Sequence, residues 1–312
     1  MSSGLSPWIE VPPGVFSEAG VYAYGVSEVS PVSPEDMRLY DNWISSGCNG
    51  GMQYMERYPD VRRDPALLLD GARSVISCAF AYRSSETHPG IASYALGRDY
   101  HEVLRERLEN VAAALRSISG AETRVCVDTA PLRERYWAVK SGLGFTGLNG
   151  HLIIPGAGSY FFLGEIVTTA RIKPSEQRYA PMECGRCRKC INACPAGALR
   201  GDGTVDARRC LSYLTIEHRG EFDSGTRLHG RLYGCDICGE VCPHNSSPVR
   251  CVIDGLKPRP AVMAVTVRSA AQMSRQEFSE VFSHSAIKRT KLDGLRRNAL
   301  HIIDEETHYR RE

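Results

Sequence analysis

Between Cys184 and Cys242 the chain places eight of its twelve cysteines, and no other feature constrains its fold so strongly. They fall in two runs, Cys184-x-x-Cys187-x-x-Cys190-x-x-x-Cys194-Pro195 and Cys235-x-x-Cys238-x-x-x-Cys242-Pro243. Thiolates three residues apart wrap one iron–sulfur cubane, and a fourth cysteine followed by proline points away to a second. The second run is one cysteine short, and Cys210 fills the gap. Two [4Fe–4S] clusters need eight thiolates, and eight are present. The crossover rule of two-cluster ferredoxins assigns Cys184, Cys187, Cys190 and Cys242 to the first cluster. Cys194, Cys210, Cys235 and Cys238 then hold the second. The competing reading is two structural Cys₄ zinc sites, which typically use paired CxxC knuckles rather than this run. Cys48, Cys78, Cys126 and Cys251 have no ligand-like neighbours and read as small, mostly buried hydrophobes.

The rest of the composition sets limits on this wire. The 312 residues suit one large domain or two of ordinary size. A 42% apolar fraction is ample for a core and excludes global disorder. The net charge, 38 − 36 = +2, excludes a polybasic protein but leaves room for a local basic patch. No run approaches the roughly 18 apolar residues of a membrane span. The first twenty residues lack a basic segment followed by an apolar run, and no twin-arginine leader is seen. The expectation is a cytoplasmic chain with no membrane contact, where thiols stay reduced. Two clusters in succession normally feed another centre. Met1–Glu183 precede them, so a catalytic domain served by the clusters is expected there.

That first part reads as mixed α and β. Ser74–Tyr82 is a buried strand by its apolar, β-prone run. His101–Ser119 carries Leu104, Leu108, Val111, Leu115 and Ile118 on one helical face. Thr123–Val127 is a strand ending at Asp128. His151–Ile154 and Tyr160–Thr168 are two more, split by a turn at 155–158. The glycine-rich segment Ser141–Gly150 is either a plain loop or a place where backbone approaches a ligand closely. The tail, Met273–Asp304, reads as helical. Its Lys288, Arg289, Lys291, Arg296 and Arg297 are either a solvated face or an RNA-phosphate patch.

Longer motifs then resemble a known family. Val127–Thr168 (VDTAPLRERYWAVKSGLGFTGLNGHLIIPGAGSYFFLGEIVT), YALGRDYHEVLRERL, ARRCLSYLTIE and RLYGCDICGEVCPHN are similar to the core of the epoxyqueuosine reductases. The similarity runs from about Gly51 to about Leu300. It implies reduction of epoxyqueuosine to queuosine at the wobble position of tRNA anticodons. The epoxide oxygen leaves as water at the expense of two electrons. The cofactors implied are a base-off cobalamin and the two [4Fe–4S] clusters, fed by a low-potential donor of flavodoxin or ferredoxin type. The fold implied is α+β (α/β-like): a cobalamin-binding mixed-sheet core over 1–175, a ferredoxin-like double-cluster domain over 176–255, and a basic helical segment over 256–312 packing on the core. A monomer is expected.

Carried over by position, Asp128 takes the place of the family's proton donor. An acid that must be protonated near neutrality needs an apolar surround or a neighbouring negative charge. Without the family match, Asp128 reads as a strand-end turn residue. Arg62, Asp128, Leu152, Ile154, Leu211, Ser212 and Asp236 match positions around the cobalamin. Tyr213 and His218 are placed near the tRNA, with Lys288, Arg289, Arg296 and Arg297 as phosphate contacts. Two departures stand out. Leu148 replaces a lysine that many members carry, and the expected form is a short one, without the helical-repeat domain that many members carry past this point. Rival readings are a reductive dehalogenase or other cobalamin-dependent reductase, a two-cluster electron carrier, and an RNA-binding module with structural clusters.

Overall fold

In a computed structural model, which describes residues 8–176 and 184–309, the first part is built on a four-stranded sheet. Its strands are β1 (Ala23–Glu28), β2 (Ser74–Ala81), β3 (Thr123–Cys126) and β6 (Phe161–Thr168), in the order β1-β2-β6-β3. A separate two-stranded ladder pairs β4 (Phe145–Thr146) with β5 (Leu152–Ile153). All pairings in both are antiparallel, which corrects the expected mixed sheet. The reason is topological. β2 and β3 run parallel to each other, but β6 lies between them and pairs antiparallel with both. The β–α–β unit is thereby split, and no two neighbouring strands are parallel.

Every residue of β2 is buried, because the sheet is covered on both faces. Ile76, Cys78 and Phe80 face the Tyr100–Ser119 helix through Leu104, Leu108, Val111 and Leu115. That helix begins one residue earlier than its apolar face suggested. The Asp99 side chain caps it by accepting from the His101 N–H, and Gly120 ends it in the left-handed conformation. Gly164 lets it approach the sheet, since a Cβ there would sit 2.5 Å from Leu108. On the other face Val75 and Val167 meet Trp137 of the short helix Glu134–Lys140.

A second core joins Ile91–Leu96 to Leu228, Leu232 and Tyr233 and to the tail, through Phe282, Leu295, Ala299 and Ile302. The tail is not one helix but two, Arg275–Val281 and Lys291–Tyr309, joined by a 3₁₀ turn at Ala286–Thr290. Ser274 and Glu277 form a reciprocal capping box that starts the first, and Lys291 adopts positive φ where the second begins. Among the described residues no helix is long and apolar enough to cross a membrane.

Candidate functional site

The eight cysteines named from spacing are each partly exposed. Cys184, Cys187, Cys190 and Cys242 line one cavity, closed by Leu148, Asn149, Ile153, Pro243 and His244. Cys242 thus joins cysteines more than fifty positions earlier, as crossover requires. Cys238 feels Cys235, Cys210 and Cys194, and also Cys190 of the first set; burial first, then those neighbours, push its thiol up. Four thiols lining one cavity suit a cubane.

The glycine-rich segment supplies both β4 and part of this cavity wall. Gly144 lies flush against Ile153, where a Cβ would come within 2.0 Å of the carbonyl oxygen. Leu148, in the place of the usual lysine, is buried against the thiol ring. His151 sits 3.9 Å from Cys238 through Nε2, and burial lowers its imidazolium to about 4, so it is neutral. Of the other four cysteines, three follow expectation and Cys251 is only half-buried. Cys48, Cys78 and Cys126 are buried, although Cys48 also accepts from Arg200 at 3.0 Å.

Asp128 follows the end of β3 with φ of 53°. Its carboxylate accepts from the Tyr100 hydroxyl at 3.0 Å and meets His101 Nε2 at 2.9 Å. His101 Nδ1 in turn lies 2.7 Å from Asp99. Crowding tends to raise the Asp128 carboxyl, but the His101 hydrogen bond and charge, with Tyr100, outweigh it and hold it below the ordinary range. Burial tends to lower His101, but its bonds to Asp128 and Asp99 push it up to about 9. This corrects the expected raised, protonated Asp128: near neutrality the proton of the pair rests on His101. The imidazole reaches Asp128 from the first turn of a helix 27 positions back, so local spacing carried no sign of it. The Asp128 side chain is 57% exposed and therefore open to a reactant. Tyr54 faces the same opening; burial, then Glu217, push its hydroxyl up to about 12, and Arg289 lies 5.3 Å over its ring.

The residues named for cobalamin are not brought together by their side chains. Arg62 is buried and spends its guanidinium on the carbonyls of Arg57 and Tyr54, both at 3.0 Å. Leu152 and Ile154 point into a small core with Ala79, Ala138 and Leu143, leaving only their backbone to a ligand. Leu211 is buried at the start of the Leu211–Ile216 helix, next to the half-buried Ser212. Asp236 accepts from the Ser93 N–H at 2.7 Å, with Arg83 at 3.9 Å. These side-chain commitments do not by themselves make a corrin site.

The RNA-binding set is largely absorbed by the fold. Tyr213 accepts the Gly51 N–H at 2.6 Å, and His218 bonds the Glu221 carbonyl at 2.9 Å. Arg296 and Arg297, expected at phosphates, are instead tied to carbonyl oxygens. Arg296 donates to Met273, and Arg297 to His218, Gly220 and Leu214. Helix and loop ends leave carbonyls unsatisfied, and a planar guanidinium fork serves several at once. Arg289 forms a two-pronged pair with Glu217 but keeps its side chain 53% exposed, and Lys288 is exposed beside it. Arg297→Ala is expected to cost about 2 kcal/mol in urea unfolding, with no change in the salt slope of RNA binding. A reduced slope would return Arg297 to the phosphates.

The chain is similar to known proteins. The family described as 4Fe-4S double cluster binding domain matches residues 183–245, and that described as Epoxyqueuosine reductase QueG, DUF1730, matches residues 62–129. The epoxyqueuosine reductase of Cyclobacterium marinum is 36% identical over 93% of this chain and 94% of its own. That of Gloeobacter violaceus is 37% identical over 90% and 91%. Among solved structures, an epoxyqueuosine reductase with a tRNA-Tyr epoxyqueuosine-modified stem loop superposes with a TM-score of 0.85 at 30% identity, covering 93% of this chain and 80% of that one. The Bacillus subtilis enzyme, with the aspartate catalytic loop swung out of its active site, gives 0.83 at 29% identity over 93% and 80%.

Proposed function

The chain belongs to the epoxyqueuosine reductase family, and on that premise we propose that it reduces epoxyqueuosine to queuosine at the wobble position of tRNA anticodons. The carrying observation is the likeness, over 93% of this chain, to a reductase holding an epoxyqueuosine-modified stem loop. Removing an epoxide oxygen as water takes two electrons and two protons, and the chain has groups suited to each.

The two thiol groups suit two [4Fe–4S] clusters held as spacing assigned them, which when bound relay single electrons. The source is a low-potential carrier of the flavodoxin or ferredoxin type. Cobalamin is proposed as the cofactor on family membership. Among the described residues, the side chains assigned to it are committed elsewhere in the fold and form no cradle. Residues 1–175 carry the reaction and 176–255 the relay, with 256–312 packed against the core of a monomer.

Asp128 orients and passes the proton. Negative charge building on the departing oxygen meets a carboxyl that exchanges a proton with His101 over 2.9 Å. Asp99 holds the far ring nitrogen, fixing the imidazole's orientation. Lys288 and Arg289 stay on the surface near Tyr54 as the RNA contacts of the tail. The test is mass spectrometry of nucleosides from epoxyqueuosine-containing tRNA after incubation with the reconstituted protein and a reductant. Queuosine should accumulate with time; unchanged epoxyqueuosine with full iron and cobalamin loading would refute the reading.

A further inference from the structure

Asp128 occupies a backbone conformation that needs holding. Its φ is 53°, and the Thr129 N–H closes back onto the Val127 carbonyl at 2.5 Å. That is a three-residue turn with a left-handed centre, a rare and strained form for any residue but glycine. The carboxylate end is tied to Tyr100 and His101. The backbone end is tied as well, since the Asp128 N–H donates to Glu134 Oε1. Glu134 opens the helix whose Trp137 and Ala138 are wholly buried, so its backbone is anchored in the core.

Beneath it lies a second acid. Glu165 stands on β6 directly opposite Cys126, two positions before Asp128, and is completely buried. Among the described residues neither of its carboxyl oxygens has a well-formed hydrogen bond, the Ser77 hydroxyl standing beside them, and the buried Ser27 hydroxyl and Trp137 Nε1 are likewise unpartnered. A buried, unpartnered carboxylate is far too costly to persist, so Glu165 holds a proton. Two carboxyls in one low-dielectric site share one charge between them. Where that charge appears, as pH rises, it falls to Glu134, the member with an N–H to accept.

We propose that Glu134, backed by the neutral acid Glu165, is a positioning residue that pins the Asp128 turn in its reactive conformation. The role rests on the proposed reduction and deepens it. The groups facing Glu134 are Asp128, Arg135, His101, Tyr100, Cys126 and Glu165. Burial first, then Asp128, raise Glu134 to about 8. The tether is a charge-assisted bond above that pH and a weaker neutral one below it.

The test compares Glu134→Ala with Glu134→Gln, which keeps an acceptor oxygen. Turnover of an epoxyqueuosine stem loop is read beside amide hydrogen exchange over residues 127–132. Alanine is expected to lower kcat about ten- to a hundredfold, the worth of one hydrogen bond to a charged group. KM should stay within about twofold, and exchange at 128 should speed up. Glutamine should restore most of kcat and remove the rise in protection that the native chain shows through about pH 8. Native kcat and exchange in the alanine variant would overturn the proposal, as would equal loss in both variants with unaltered exchange. Failure of the native chain to convert the stem loop at all would instead strike the proposed function, while the exchange readout still judges the tether.

Discussion

Asp128→Asn lowers turnover about 10²- to 10⁴-fold, the usual worth of a positioned acid, with iron, cobalamin loading and stem-loop affinity kept. Asparagine matches the shape of aspartate but cannot carry or pass a proton. It also removes one of the two carboxylates that raise His101, so the imidazole should titrate below about 9, visible in its ring proton shifts. The native pH dependence follows with a definite sign. A histidine raised from 6.5 to about 9 contributes its pairing fully below 6.5 and loses it as pH rises through about 9. Turnover limited by the proton should therefore decline above about 9. Full turnover by a normally loaded asparagine variant would remove Asp128 from the chemistry.

Cys242→Ser is the second large effect. By sequence it belongs to the second run, yet its side chain lines the cavity of Cys184, Cys187 and Cys190. The variant should lose about half its iron, and Cys184→Ser should lose the same half. The double variant should lose no more than either, because one cluster is already gone. Turnover should fall to background in all three, since a broken relay passes no electrons. Iron loss that adds up in the double variant would place Cys242 with the other group.

These two sites were legible to different degrees. The cysteine runs carry their chemistry in local spacing, and Cys184, Cys187, Cys190 and Cys242 line one cavity in the structure. Asp128 was named through resemblance, but its protonation was misread because its partners are distant in sequence. His101 and Tyr100 come from a helix start well before it in sequence, and only the fold sets them beside it. The tail shows the opposite error: a run of cations suggests phosphates until the carbonyls facing Arg296 and Arg297 are known. β1 went unseen because AYGVSE lacks a clear apolar alternation. Gly25 stands there because a Cβ would meet the Ser141 carbonyl at 2.1 Å, a constraint that exists only after folding.

The insertion of β6 between β2 and β3 also orders events during synthesis. β1 and β2 can pair as soon as both have left the ribosome. β3 has no strand to pair with until Phe161–Thr168 emerge, some forty residues later. Pairings of such wide separation form slowly, because the loop-closure entropy comes before the reward. The turn carrying Asp128 hangs from the end of β3, so it stays unformed until β6 arrives to hold that strand in place.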